Sequence, residues 1–292
     1  MPSLSKNLVQ RIVVAVIAIP LVVGIIWIGG WVLAATLAVL GVLGAHEIYD
    51  FGRQQGFEPL ERTGFLAAAA IPLLAYWAKG WETHWAESAI YLGAAWLLFA
   101  LTMAMWRRGP TGRPLTSVSV TLFGCLYASG MLAFLIAIRH STAAATRPLA
   151  YVLLTLFPLV ITWVGDTTAM ATGSAIGGPR LAPVLSPSKT HAGAIGGGLG
   201  GVIAALALGK FVLNRHGWGG WHFTDGQLLL FGLAVSIVGQ VGDIAESLLK
   251  REAGLKDSSS LIPGHGGVLD RLDSLYFVIP AAAGLYRMFG VI

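Results

Sequence analysis

The amino-acid sequence predicts an all-α membrane protein that crosses the bilayer with about nine helices. Three observations carry that prediction. Hydrophobic residues make up 55% of the 292 and charged residues only 11%, a balance too apolar for a water-soluble domain of this length. The mean hydropathy is +0.73. The apolar residues also gather into runs near the roughly 20 residues that cross about 30 Å of hydrocarbon as a helix, each bounded by charge, Gly or Pro.

In chain order the runs lie at 10–28, 31–49, 63–79, 87–106, 117–138, 148–170, 191–213, 226–249 and 274–291. Lys6 and Arg11 flank the start of the first run as in a secretory signal, but no small-residue cleavage site closes it and eight runs follow, so it reads as a retained span. Trp27, Trp31, Trp77, Trp81, Trp85 and Trp106 stand near run ends, where amphipathic rings favour the headgroup layer. The stretch to about residue 140 reads as scaffold, with "HEIYDFGR" at 46–53 as a solvated helix end that brings His46, Glu47, Asp50 and Arg53 to the surface. Residues 148–292 read as the catalytic spans and their loops. No repeat of fixed period and no long polar linker divides the chain, so 1–292 is one membrane domain. The glycines of "GAIGGGLGG" at 193–201 suit close helix packing. No strand precedes them, so the soluble phosphate-loop templates do not apply.

The net charge of +5 is explained by topology rather than by nucleic acid. With a cytoplasmic N-terminus and nine spans, 13 of the 19 Lys and Arg residues fall on the inner side, as the positive-inside rule requires. This places the C-terminus outside and the last two inner loops in the cytoplasm, an arrangement expected of a bacterial inner or plasma membrane protein. Cys125 is the single cysteine and has no partner for a disulfide or a Cys-based zinc site.

The chemistry concentrates at 243–273, where 31 residues hold ten of the 33 charges. Asp243 and Glu246 close the eighth run, where a carboxylate is costly unless paired and marks function by default. Asp243, Glu246 or Ser247, and Lys250 recur at helical spacing on one face. Asp270 and Asp273 are three apart, so a helix starting near Val268 sends both toward one point. Such hard oxygen pairs suit Mg²⁺, which takes one or two carboxylates and leaves positions for phosphate and water. Between the pairs lies "SSSLIPGHGG", where Pro263 stops one element and Gly264, Gly266 and Gly267 permit close backbone approach before a helix N-terminus. Lys250, Arg251, Lys256 and Arg271 surround that anion site, and His265 is a candidate substrate contact. Cations, metal ligands and a glycine loop together read as phosphoryl or nucleotidyl chemistry.

The segment "SLLKREAGLKDSSSLIPGHGGVLDRLDS" at 247–274 resembles the signature of phosphatidate cytidylyltransferases, also called CDP-diacylglycerol synthases. The fixed positions are Ser247, Lys250, Arg251, Lys256, Asp257, Pro263, His265, Gly266, Gly267, Asp270, Arg271 and Asp273. Gly242 and Asp243 fit as well, and "GDTTAMATG" at 165–173 is similar to a second polar stretch of that family through Gly165, Asp166, Thr167, Ala169 and Gly173. The chain departs where the family shows Ser-Pro-Lys-Lys-Thr-x-Glu-Gly and this sequence has Ser186, Pro187, Ser188, Lys189, Thr190, His191, Ala192 and Gly193. Ser174 likewise stands in place of an Arg, so this loop is expected to contribute less charge.

The resemblance implies a transfer from CTP to phosphatidate that gives CDP-diacylglycerol and pyrophosphate with Mg²⁺, the acyl chains staying in the lipid bilayer. Asp243, Asp270 and Asp273 would hold one or two metal ions. Lys250, Arg251, Lys256 and Arg271 would offset phosphate charge, with Asp257 and His265 beside them. Asp166, Ser186, Lys189, Thr190, Ser247, Gly264, Gly266 and Gly267 would line the substrate cleft. The alternatives are a diverged relative acting on another lipid phosphate and an ion-coupled transporter, for which no inverted repeat is apparent. A homodimer is one candidate assembly.

Overall fold

The structure is a computed structural model and describes residues 6–78, 83–141, 144, 146–215, 221–261 and 266–292, with side chains from Val16 onward in the first helix and from Ile90 onward in the fourth. Helices α1 (Lys6–Ile28), α2 (Gly30–Gln54), α3 (Glu61–Trp77) and α4 (Thr83–Arg107) come first. They are followed by α5 (Pro114–Arg139), which contains a π turn, and by α6 (Pro148–Ile176). A short antiparallel hairpin, β1 (Arg180–Ala182) and β2 (Ser186–Thr190), leads into α7 (His191–Leu213). The chain ends with α8 (Asp225–Glu252), a single turn α9 (Leu269–Leu272) and α10 (Leu275–Met288).

The protein is an all-α polytopic membrane protein apart from that hairpin, which the sequence did not announce. Among the described residues six helices are long and apolar enough to cross a membrane: 30–54, 90–107, 114–139, 148–176, 191–213 and 225–252. The other three expected spans are shorter as described: Val16–Ile28 in α1, the 17 residues of α3 and the 14 of α10. Large apolar side chains face outward, among them Trp27, Leu66, Trp77, Trp106, Ile195 and Phe211. In water so much exposed apolar surface would drive association, whereas lipid solvates it. Trp81 and Trp85 lie outside the described side chains.

Two cores share α10. One gathers α2, α3 and α5 around Tyr49, Leu132, Ile136 and Tyr276, and the other gathers α6, α7 and α8 around Tyr151, Phe231 and Tyr286. Buried Arg139 at the end of α5 donates to the carbonyls of Ile26 at 2.9 Å and Trp27 at 3.1 Å, satisfying the C-terminus of α1 where no intrahelical donor remains.

The glycine run packs α7 against α6 as its composition suggests. A Cβ added at Gly196 would lie 2.5 Å from Thr172 Cγ2, and one at Gly200 would lie 2.7 Å from Thr168 Cγ2. Those threonines return their hydroxyls to their own helix, at 2.7 Å to the Thr168 carbonyl and 2.8 Å to that of Val164, and both hydroxyl and methyl lie close against the α7 glycines. Replacing Gly200 by Val is therefore expected to cost about 1–3 kcal/mol by overpacking, seen as earlier thermal unfolding of the purified protein.

Candidate active site

The site forms where α8 reaches the end of the bundle. Thr224 starts α8 with a reciprocal capping box to Gln227, and the helix then runs unbroken to Glu252. Its inner face carries Asp243, Glu246, Ser247 and Lys250 at the spacing the sequence offers. Gly239 and Gly242 on that face let the C-terminal segment approach. A Cβ at Gly242 would sit 2.8 Å from the Asp273 carbonyl and 3.0 Å from the Phe277 ring, so this glycine sets Asp273 beside Asp243.

Two polar clusters result. In the first, Lys189 from β2 reaches Asp243 with Nζ 2.5 Å from Oδ2, and Asp166 of α6 and Asp273 add their charges around the pair. The Asp273 carboxyl is pushed up to about 7, first by burial and then by the negative charges of Asp243 and Asp166, with Lys189 acting in the opposite direction. Asp166 lies in the crevice between α6, α7 and α8, near Gln240, whose side chain donates to the Ala194 carbonyl at 3.1 Å. This is a partly open carboxylate basin with one cation in it.

The second cluster is closed. Lys250 bridges Glu246 at 2.5 Å and Asp270 at 2.6 Å, Glu246 being completely buried. Asp270 Oδ2 also accepts from the Ser258 amide at 2.7 Å, the Ser258 hydroxyl at 2.8 Å and the Gly267 amide at 2.8 Å. Burial raises this carboxyl, but the Gly267 amide, the Lys250 ammonium and Ser258 outweigh it and hold it below the ordinary range. Glu47 of α2 enters from the opposite side. Its two oxygens accept from the Ser258 hydroxyl at 2.8 Å, the Ser259 hydroxyl at 2.7 Å and the amides of Val268 and Leu269, both at 2.9 Å. Two carboxylates thus hold the two ends of the 258–269 loop, and glycine is needed where they approach. A Cβ at Gly267 would lie 2.5 Å from Glu47 Cδ, and Gly266 combines a φ of +79° with Asp270 Cγ only 3.0 Å from such an atom.

The chain matches the family model described as "Cytidylyltransferase family" over residues 9–289. The chain belongs to the cytidylyltransferase family. It is 30% identical to the phosphatidate cytidylyltransferase of Synechocystis sp., covering 93% of this chain and 94% of that one. It is also 31% identical to the phosphatidate cytidylyltransferase of Brucella abortus, covering 98% and 94%. A protein of the same name from Staphylococcus epidermidis is 43% identical over 126 residues, 43% of this chain and 45% of that one.

In this cytidylyltransferase the expected residues divide by position. Asp166, Lys189, Asp243 and Asp273 come together in the open basin, whereas Lys250, Asp270, Gly266 and Gly267 belong to the closed loop anchor. Asp270 and Asp273 do not point to one place: the helix of Asp270 is a single turn, and the two carboxylates serve different clusters. Thr190 caps α7, accepting from the Gly193 amide at 3.1 Å. Arg251 ties α8 to the hairpin, donating to the Leu185 carbonyl at 3.3 Å and to the Leu255 carbonyl at 3.0 Å. Ser247 is buried on the inner face of α8, Ser186 opens β2, and Lys256, Asp257 and Arg271 are exposed. Gly264 and His265 lie outside the described residues. Glu47, placed by the sequence at a solvated helix end, is instead a buried anchor of the 258–269 loop; the polar residues around it, His46, Asp50 and Arg53, masked it.

Among the described residues no three Asp, Glu, His or Cys side chains form a ready-made cage for a metal ion. Mg²⁺ does not require one, since one or two carboxylates and the oxygens of a bound phosphate complete its shell. Asp243 and Asp273 have the chemistry for that role, with oxygens not committed to the 258–269 loop. Asp270 would have to exchange its present bonds to join them.

Proposed function

We propose that this protein transfers a cytidylyl group from CTP to phosphatidate, releasing pyrophosphate and forming CDP-diacylglycerol at the cytoplasmic face of a bacterial inner membrane. The observation that carries the reading is the carboxylate basin of Asp243, Asp273 and Asp166 with Lys189, set at the end of a lipid-solvated bundle. Its support comes from the name the relatives share together with the charge such a reaction brings. A triphosphate and an anionic lipid phosphate must meet, and carboxylates crowded enough to raise Asp273 call for a cation between them and the phosphates.

In this reading nine spans alternate across the bilayer, α1, α3 and α10 serving as the shorter ones, with the N-terminus inside and the C-terminus outside. Asp243 and Asp273 would hold Mg²⁺, which when bound would neutralise charge on the nucleotide phosphates. The ionised phosphate oxygen of phosphatidate attacks the α-phosphorus of CTP, and the bond from that phosphorus to the β-bridging oxygen breaks. No strong base is required, because the nucleophile carries its charge already. The exposed Lys256 and Arg271 offset the charge on the departing pyrophosphate, and Lys189 holds Asp243 in place until the substrates arrive. Lys250 and Asp270 fix the loop that faces them. The chain acts alone or as a homodimer without change to this chemistry.

Incubation of the purified protein with CTP, phosphatidate and Mg²⁺ is expected to yield a CDP-lipid and pyrophosphate; no Mg²⁺-dependent product overturns the proposal. The raised Asp273 carboxyl adds a pH dependence. A proton and a cation compete for it, so between pH 8 and pH 6 the fraction ionised falls about tenfold around a value near 7. The Mg²⁺ concentration for half-maximal activity is expected to rise by about that factor at pH 6. The same group also favours the metal-free fold on the acid side: its contribution is lost as pH rises from the ordinary carboxylate range through about 7, and added Mg²⁺ restores it.

A further inference from the structure

A second cationic cavity lies apart from the carboxylate basin, at the same end of the bundle. It measures about 400 Å³ and is lined by Arg53 and by the α2–α3 connection, the first turn of α3 and the end of α4. Four arginines and two glutamates meet there. Arg53 is paired with Asp50 and Glu61, and Arg108 donates to Glu58 Oε2 at 2.5 Å and to the Pro59 carbonyl at 3.1 Å. Both glutamates are thereby spent. Arg62 and Arg107 line the same cavity, are exposed, and have no hydrogen-bonding or ionic partner among the described residues.

The backbone adds to the surplus. Helix α3 begins in this cavity at Glu61, and its N-cap residue, Leu60, supplies no side-chain cap, so the first-turn amides point their dipoles into the cavity. Just beyond the guanidiniums the surface is apolar. Leu66, one turn after Arg62 on the same face of α3, is 71% exposed, and Trp106, next to Arg107, is 77% exposed. Cations above and lipid-facing side chains below match a molecule that carries phosphate at one end and acyl chains at the other.

We infer that this cavity binds the phosphate headgroup of an anionic phospholipid, with Arg62, Arg107 and the uncapped start of α3 as its ligands. The site adjoins the 258–269 loop through one helix: Glu47 anchors the loop and Arg53 lines the cavity, six residues or about 9 Å apart along α2. An occupied headgroup site would brace the end of α2 and, through Glu47, the 258–269 loop.

Native mass spectrometry of the protein in neutral detergent, titrated with phosphatidylglycerol, tests this without turnover, since that lipid has no phosphomonoester to act as nucleophile. The wild type is expected to retain phosphatidylglycerol over phosphatidylcholine, and the double variant Arg62→Gln/Arg107→Gln to lose affinity by on the order of tenfold to thirtyfold. Both side chains are exposed and unpaired, so an unchanged circular dichroism spectrum should accompany the loss. A parallel arm adds excess inorganic phosphate to the wild type alone and stands whether or not the variant folds. Failure of phosphate to displace the lipid supports a site built for headgroup and chains together. Equal retention of phosphatidylglycerol by wild type and variant, or its complete displacement by inorganic phosphate, overturns the inference.

Discussion

Replacing Asp273 by Asn is expected to lower CDP-lipid formation by on the order of 10²–10³-fold, the range lost when one preorganised electrostatic partner of a developing charge is removed. Asp243→Asn should fall in the same range. The argument rests on position: Gly242 allows the two carboxylates to stand side by side, and the charge of Asp243 together with burial pushes Asp273 up to about 7. An amide keeps the shape and removes the charge, so folding should survive; relief of the repulsion should leave the metal-free variant at least as stable as wild type near pH 8. The combination of lost turnover and retained or raised melting temperature, measured on the same purified samples, distinguishes a cation-binding carboxylate from a structural one. Full turnover in both variants would refute the assignment.

Replacing Glu47 by Ala is expected to do the opposite in stability and the same in activity. Its carboxylate is 2% exposed and accepts from two backbone amides and two hydroxyls of the 258–269 loop. Truncation leaves the buried amides of Val268 and Leu269 and the half-buried Ser259 hydroxyl without their acceptor, while the Ser258 hydroxyl keeps Asp270. At about 1–3 kcal/mol for each group left unsatisfied, and with partial rescue by entering water, a net loss of about 3–5 kcal/mol is expected. Glu47→Gln should recover only part, because its NH₂ group would face amides that are themselves donors. Thermal unfolding monitored by circular dichroism, with the CDP-lipid assay alongside, reads both effects. An unchanged melting temperature in Glu47→Ala would show that the loop is held by other contacts.

The two carboxylates differ in how legible they were. Asp243 and Asp273 stood out in the sequence because charge at the end of an apolar run is rare and because helical spacing ties Asp243 to Glu246 and Lys250. The layout of long apolar helices was legible for the same reason: lipid solvates one kind of side chain and the runs report it. What local spacing could not show is where a side chain finds its partner. Glu47 bonds to Ser258 across 211 positions, and nothing local to "HEIYDFGR" announces that loop. Lys250 looked like a free cation for phosphate, yet two carboxylates claim it. Asp270 and Asp273 looked like one pair, yet the single turn of α9 sends them to different neighbours. The hairpin at 180–190 was hidden because its strands are three and five residues long, too short for alternation to register.

The departures from the family pattern at 186–193 also take a physical form here. Lys189, the one cation kept in that stretch, is the residue that meets Asp243, while Thr190 caps α7. The loop therefore joins β2 to the basin through Lys189 and to the next helix through Thr190. Ser188, in the place of a second lysine, is exposed.

Isotope position decides whether the α-phosphorus of CTP is transferred to a lipid phosphate in this carboxylate basin. Parallel reactions with CTP labelled at the α- or the γ-phosphate, phosphatidate and Mg²⁺ should place the α-label in the organic phase as CDP-lipid and leave the γ-label in water as pyrophosphate. Label from the γ-position in the lipid, or no lipid label from either, would contradict it.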